Sequence, residues 1–136
     1  MYKCKHFKAH ELVPQKIYSR YGEKSFQFLD DRLLMTLDFI REMFGETTIN
    51  NYHWDGNREW SGLRTSDSPY YSSTSQHTFG RAADCIFNEP DVFDIQEYIL
   101  THQKNFPFIR GIETEVSWLH IDVGNRSGNT IQTFSK

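Results

Sequence analysis

The chain has 136 residues, with 15 Lys and Arg against 18 Asp and Glu for a formal net charge of −3, and 38% of it is hydrophobic. That length suits one ordinary domain, and 3 Trp, 7 Tyr and 11 Phe supply enough apolar surface for a real core, which excludes disorder as the main state. The slight acidity argues against a nucleic-acid binder, which would show a basic stripe, and no apolar run nears the ~18 residues of a membrane span.

Met1 to Lys8 carries basic residues without a following apolar stretch, so no export signal is expected and synthesis is placed in the cytoplasm. From Glu23 to Phe44 the apolar residues Phe26, Leu29, Leu33, Leu37, Ile40 and Phe44 recur at steps of three and four, and Gly45 follows; one long amphipathic helix is predicted. Thr47 to Tyr52 reads as a strand. Trp54 to Tyr71 collects Asp, Gly, Ser and Pro and reads as a long loop, of the kind that rims a site. Gly80 to Phe87 is a second strand. Asp91 to Lys104 is a second helix, with Val92, Ile95, Tyr98 and Ile99 on one face and Pro107 beyond its end. Ile109 to Glu113 is a third strand that can pair through a short turn with a fourth, Ser117 to Val123; the polar tail from Gly124 is expected to be irregular. With no repeat or linker, the prediction is a single α+β domain over residues 1–136, in which helices pack on a mostly antiparallel sheet.

Cys4 and Cys85 belong to no C-x-x-C pair, so they read as reduced thiols rather than a zinc knuckle or a disulfide. The histidines are more informative. On the last strand Leu119, Ile121 and Val123 alternate with Trp118, His120 and Asp122, which places one face in the core and a His and a carboxylate together on the other. Such a pair can point at a metal, one can bind while the other supports it, or both can line an exposed edge. Upstream, His77 and Asp84 are separated by Gly80, and Ala82 leaves space on the strand face of Asp84. An acid among Ala82, Ala83, Cys85 and Ile86 is costly to bury unless a cation or several donors compensate it; a structural Asp bonded to loop amides is the plain alternative. Together His77, Asp84 and His120 offer two imidazoles and a carboxylate from separate elements and leave a fourth position for water, the composition of a hydrolytic zinc site.

The segment Ser75-x-His77-x-x-Gly80-x-Ala82-x-Asp84, followed by Trp118-Leu119-His120-Ile121-Asp122, resembles the zinc D-alanyl-D-alanine peptidase family. That family includes D-Ala-D-Ala carboxypeptidases, phage L-alanyl-D-glutamate endopeptidases and, more remotely, the hedgehog signalling domain. Ser61-Gly62-Leu63-Arg64-Thr65 is similar to the family's Ser-Gly-aromatic-Arg-Ser segment, with Leu63 in the aromatic place. The resemblance runs from the Glu23 to Phe44 helix through Val123 and is to a compact phage-type member.

The resemblance implies a Zn2+ ion on His77, Asp84 and His120, with a Glu as general base. The family writes that base as Glu-x-x-His, and this chain departs from the spacing: Glu113 lies seven residues before His120 and Glu115 five. Glu113 is favoured because it ends a strand, whereas Glu115 falls in the connecting turn; both stay open. Arg64 would face a developing oxyanion or a substrate carboxylate, Ser75 would bond substrate backbone or a ligand, and Asp122 would orient His120. Trp118, Tyr70, Tyr71 and Trp60 are candidates to wall the cleft, with His53 near its rim.

The implied activity is hydrolysis of amide bonds in the stem or cross-link peptides of bacterial peptidoglycan, by carboxypeptidase or endopeptidase action. A monomeric phage or prophage lysin released through a holin, or a virion part, fits the missing signal. The alternative is a zinc-stabilised binding or virion module without turnover, and hydrolysis of another amide or ester is a third option.

Overall fold

Two central strands divide the protein into an apolar side and a polar side, because their side chains alternate strictly. In the computed structural model, which describes residues 1–136, five strands form one sheet in the order β1-β2-β4-β3-β5. They are β1 (Thr47–Thr48), β2 (Ala82–Phe87), β3 (Gly111–Glu113), β4 (Leu119–Asp122) and β5 (Gln132–Phe134). The β1–β2, β2–β4 and β3–β4 pairs are antiparallel and β3–β5 is parallel. Three helices accompany the sheet: α1 (Gln15–Tyr21), α2 (Asp31–Phe44) and α3 (Val92–Thr101). The architecture is the expected α+β arrangement with a mostly antiparallel sheet. No helix is long and apolar enough to cross a membrane.

Leu33, Leu34, Leu37 and Ile40 of α2 and Ile95 and Ile99 of α3 join Ala83, Cys85, Ile112, Leu119 and Ile121 of the sheet in one buried core. Each such Leu or Ile contributes roughly 1.5–3 kcal/mol by leaving water, so this layer fixes the sheet face opposite the site. Both large helices start at an aspartate. Asp30 accepts from the Arg32 amide at 2.9 Å and Asp91 from the Phe93 amide at 2.8 Å.

Local hydrogen bonding moves several boundaries from their expected places. The helix expected from Glu23 is split: a 3-10 segment covers Gly22–Phe28, Leu29 is extended, and α2 begins only after the Asp30 cap. The Thr47 to Tyr52 strand shrinks to two residues because Asn50 turns its side chain onto the Val13 carbonyl and the Ser61 amide. The second helix ends at Thr101 and a 3-10 turn takes over Gln103–Asn105. The tail is not wholly irregular, since β5 lies along β3 and the Thr114 amide donates to the Phe134 carbonyl at 2.7 Å. Both cysteines are free.

The long loop runs to Arg81 and is fastened by backbone at each end. The Leu63 amide donates to the Leu12 carbonyl at 2.9 Å, and the Asp30 amide to the Gly80 carbonyl at 2.9 Å. A Cβ on Gly62 would collide with Leu12 and one on Gly80 with Phe28; Gly80 also sits at φ +69, which favours glycine. The first thirty residues therefore hold the loop that delivers Arg64 and His77.

Candidate metal centre

The register of the sheet builds the site. Asp84 of β2 and Glu113 of β3 both pair with His120 of β4, and Phe134 of β5 pairs with Glu113, so one row across four strands carries acid, imidazole, acid and ring. Strand neighbours are spaced by about 4.8 Å, which brings these side chains within reach of one another on the face opposite the core. Ala82 and Gly111 flank Asp122 in the next row, and their small size leaves room for that carboxylate and its partner Arg126.

His77 arrives from the loop. The Ser75 hydroxyl accepts from its amide at 3.2 Å, and its Nδ1 lies 2.8 Å from the Gly62 carbonyl, which accepts from the ring N–H. Nε2 is thereby left with a lone pair directed at Asp84 Oδ1, 3.4 Å away. On the other side His120 Nδ1 lies 2.8 Å from the same Asp84 oxygen, while its Nε2 faces Asp122 Oδ2 at 3.6 Å. One ligand atom from each of His77, Asp84 and His120 falls within 4.8 Å of the others, and all three residues are buried.

This donor set fits a metal ion. Two imidazole nitrogens and a carboxylate oxygen converge on one point, the donor types that a divalent metal ion takes. In the metal-free protein His120 Nδ1 and Arg64 compensate Asp84, at 2.8 and 3.1 Å from its two oxygens. Burial works against charging His120, but hydrogen bonds to Asp122 and Asp84 outweigh it and raise its pKa to about 9. Asp84 shows the complementary effect: burial pushes its pKa up, and the bonds with His120 and His77 hold it well below the usual carboxylate range. His77 is lowered by burial, so it stays neutral. Asp122 is fixed from behind by Arg126, whose Nε and Nη2 donate to its two oxygens at 3.1 and 2.7 Å.

A cleft of ≈ 410 Å³ opens over this group. Arg64 lies at its edge, half-buried, donating to Asp84 Oδ2 at 3.1 Å and to the Trp60 carbonyl at 2.7 Å, with its guanidinium over the Tyr70 ring. Glu113 lines the cleft, is 5% exposed, and its carboxylate makes no hydrogen bond or ion pair with the protein. Glu115 is elsewhere: it is exposed in the β3–β4 turn at φ +63 and does not line the cleft. Ser75, Tyr70 and Trp118 border the cleft, Trp60 borders an adjoining one, and Tyr71 borders neither. His53 is not at the rim; it stacks on His10.

Arg126, Phe134 and Gln76 are cleft residues that sequence reasoning missed. Asp122 and Arg126 stand at i and i+4, a spacing that carries a weak signal once His120 is suspected. Phe134, edge-on to His120 at 5.6 Å, depends on the parallel β3–β5 pairing and has no local signal. No protein-family model matches this chain, and no curated protein and no solved structure matches it either.

Proposed function

We propose that the protein is a zinc-dependent peptidase acting on amide bonds in the stem or cross-link peptides of bacterial peptidoglycan, with a fold of the D-alanyl-D-alanine peptidase and hedgehog type. The observation that carries this reading is the row Asp84–His120–Glu113: a convergent ligand group and an uncommitted buried carboxylate are side by side in one cleft. Bound zinc would supply Lewis-acid polarisation of the carbonyl and lower the pKa of a coordinated water. Glu113 takes the proton of the attacking water on a carboxylate oxygen and returns it to the leaving nitrogen. Arg64, with guanidinium N–H groups beyond those spent on Asp84 and Trp60, offers donors to the oxygen on which negative charge develops. Asp122 and Arg126 hold the orientation of His120. The site of action is the cell wall.

Zinc-loaded protein is expected to release amines from purified peptidoglycan. Glu113→Gln should keep its zinc and lose roughly 10²–10⁴-fold in rate, whereas Glu115→Gln should behave as wild type. Intact sacculi after prolonged incubation with metal-loaded wild type would overturn the hydrolase reading and favour a metal-stabilised binding module.

A further inference from the structure

The last strand is short and mostly at the surface, yet it carries a ring into the candidate metal centre. Gln132 and Thr133 of β5 are exposed and Phe134 is half-buried. Its backbone is fixed by β3: Glu113 is its partner in the parallel register, and the Thr114 amide and hydroxyl both donate to the Phe134 carbonyl, at 2.7 and 3.2 Å. Its side chain borders the cleft beside His120, Asp122 and Arg126, with the ring at 85° to that of His120 and the Arg126 guanidinium carbon 5.0 Å from the ring centroid. That distance is within cation–π range.

Arg126 needs such a partner. It follows β4 on a segment without regular structure, and its long side chain must give up much rotamer freedom to keep two bonds on Asp122. Two surfaces restrict it. A Cβ on Gly111 would collide with Arg126 Nε and Nη2 and with Asp122 Oδ2, so the guanidinium and the carboxylate lie directly against the β3 backbone. Phe134 supplies the second surface. The bonds made in this slot bear on the ligand group, because His120 turns Nδ1 toward Asp84 and Nε2 toward Asp122. A metal on Nδ1 leaves the ring proton on Nε2, facing the Asp122 carboxylate.

We propose that Phe134 is a positioning residue of the metal centre: its ring and the bare β3 backbone at Gly111 form a slot that locks the Arg126 guanidinium onto Asp122, and Asp122 in turn sets the orientation of His120. This rests on the metal-binding reading of His77, Asp84 and His120 above. The strand β5 thus completes a site to which it supplies no ligand, and the face of the Phe134 ring, rather than its bulk, is what the site requires.

Zinc affinity, read by competition with a chromophoric chelator, should fall about 10-fold in Phe134→Leu, which keeps the bulk and loses the ring face, and return to within about twofold of wild type in Phe134→Tyr. In an Arg126→Gln background Phe134→Leu should cost less than about twofold more, because the residue acts through Arg126; an equal loss in both backgrounds would overturn the proposal. A second measurement uses metal-free protein. Exchange of the Arg126 Nε–H proton, followed by nitrogen-resolved NMR, should speed up about 10-fold in Phe134→Leu and stay at the wild-type rate in Phe134→Tyr. Unchanged exchange in Phe134→Leu would refute the slot. Protection of the Thr114 amide, which donates to the Phe134 carbonyl, reports whether β5 is still docked. Should Phe134→Leu release the strand, Gly111→Ala leaves β5 intact and takes its place: the added methyl should displace Arg126 and speed the same exchange, and an unchanged rate would equally refute the slot. Wild type that binds no zinc but shows Arg126 Nε–H exchange controlled by Phe134 would support the slot and refute the metal reading, so the two fail separately.

Discussion

The protein brings two pairs of histidines together, and only one forms a group that could hold a metal ion. His77 and His120 have ring centroids 5.1 Å apart and share Asp84, with every ring nitrogen facing a carbonyl or a carboxylate. His10 and His53 are closer, at 3.9 Å, but they stack face to face among Tyr18 and Trp54, and the buried Nδ1 of His10 has no partner. The first pair converges its lone pairs on a carboxylate; the second buries ring faces. Their electrostatics are opposed as well. The acids around His120 raise its pKa, whereas burial, and then His53, lower that of His10. Proximity alone therefore does not set the two pairs apart; the shared acid and the direction of the lone pairs do.

The largest expected effect tests that contrast directly. His77→Ala or His120→Ala should weaken zinc binding by roughly 10²–10³-fold, one ligand's share of a typical site, in competition with a chromophoric chelator. His10→Ala and His53→Ala should leave it unchanged, and loss of zinc from either would erase the distinction. Next in size is the support behind His120. Arg126→Gln frees Asp122 from its clamp and should cost about 10–100-fold in zinc affinity, with the fold intact by circular dichroism. An unchanged affinity would assign the Arg126–Asp122 pair to structure alone.

Acidity sharpens the comparison further. In metal-free protein the raised pKa of His120 contributes stability that is fully present below about 6.5 and lost as pH climbs through about 9. His10 works in reverse: its lowered pKa lets the unfolded chain take up the proton first, so stability is lost as pH falls below about 6.5. Around His10, Glu23 opposes the lowering and Lys8 adds to it. Thermal unfolding of chelator-treated protein should therefore weaken on both limbs, and saturating zinc should remove the alkaline one, because the ligand nitrogen is already deprotonated. The smallest effect is expected from His10→Phe, which removes the unpaired buried nitrogen and keeps the ring stack. Stability should rise by up to about 1 kcal/mol, and its acid limb should flatten.

Two of the three proposed metal ligands, Asp84 and His120, were legible in the sequence because they lie on strands, where backbone periodicity is strict. Alternation along Trp118 to Val123 separates His120 and Asp122 from Leu119, Ile121 and Val123, and the structure keeps that division. The same logic placed Glu113 at a strand end and Glu115 in a turn. What escaped depends on contacts between distant segments. The break at Asp30 comes from a side chain capping a new helix inside an unbroken apolar pattern. β5 is three residues long, mostly exposed, and defined only by pairing with β3, so nothing in its own composition announces it. Arg126 and Phe134 were hidden along with it.

The fastening of the long loop has a consequence for engineering. The Arg64 amide donates to the His77 carbonyl at 3.2 Å, and the backbone contacts at Leu63 and Gly80 lie just outside that pinch. Residues 65–76 therefore leave and re-enter the scaffold at nearly one point, as an Ω-type loop does. They include Tyr70 and Gln76, which border the cleft, but none of the proposed ligands. The part of the segment before Ser75 is in effect a cassette: its length and composition can be exchanged to change what the cleft accepts, while Ser75 and the backbone contacts on either side keep His77 anchored.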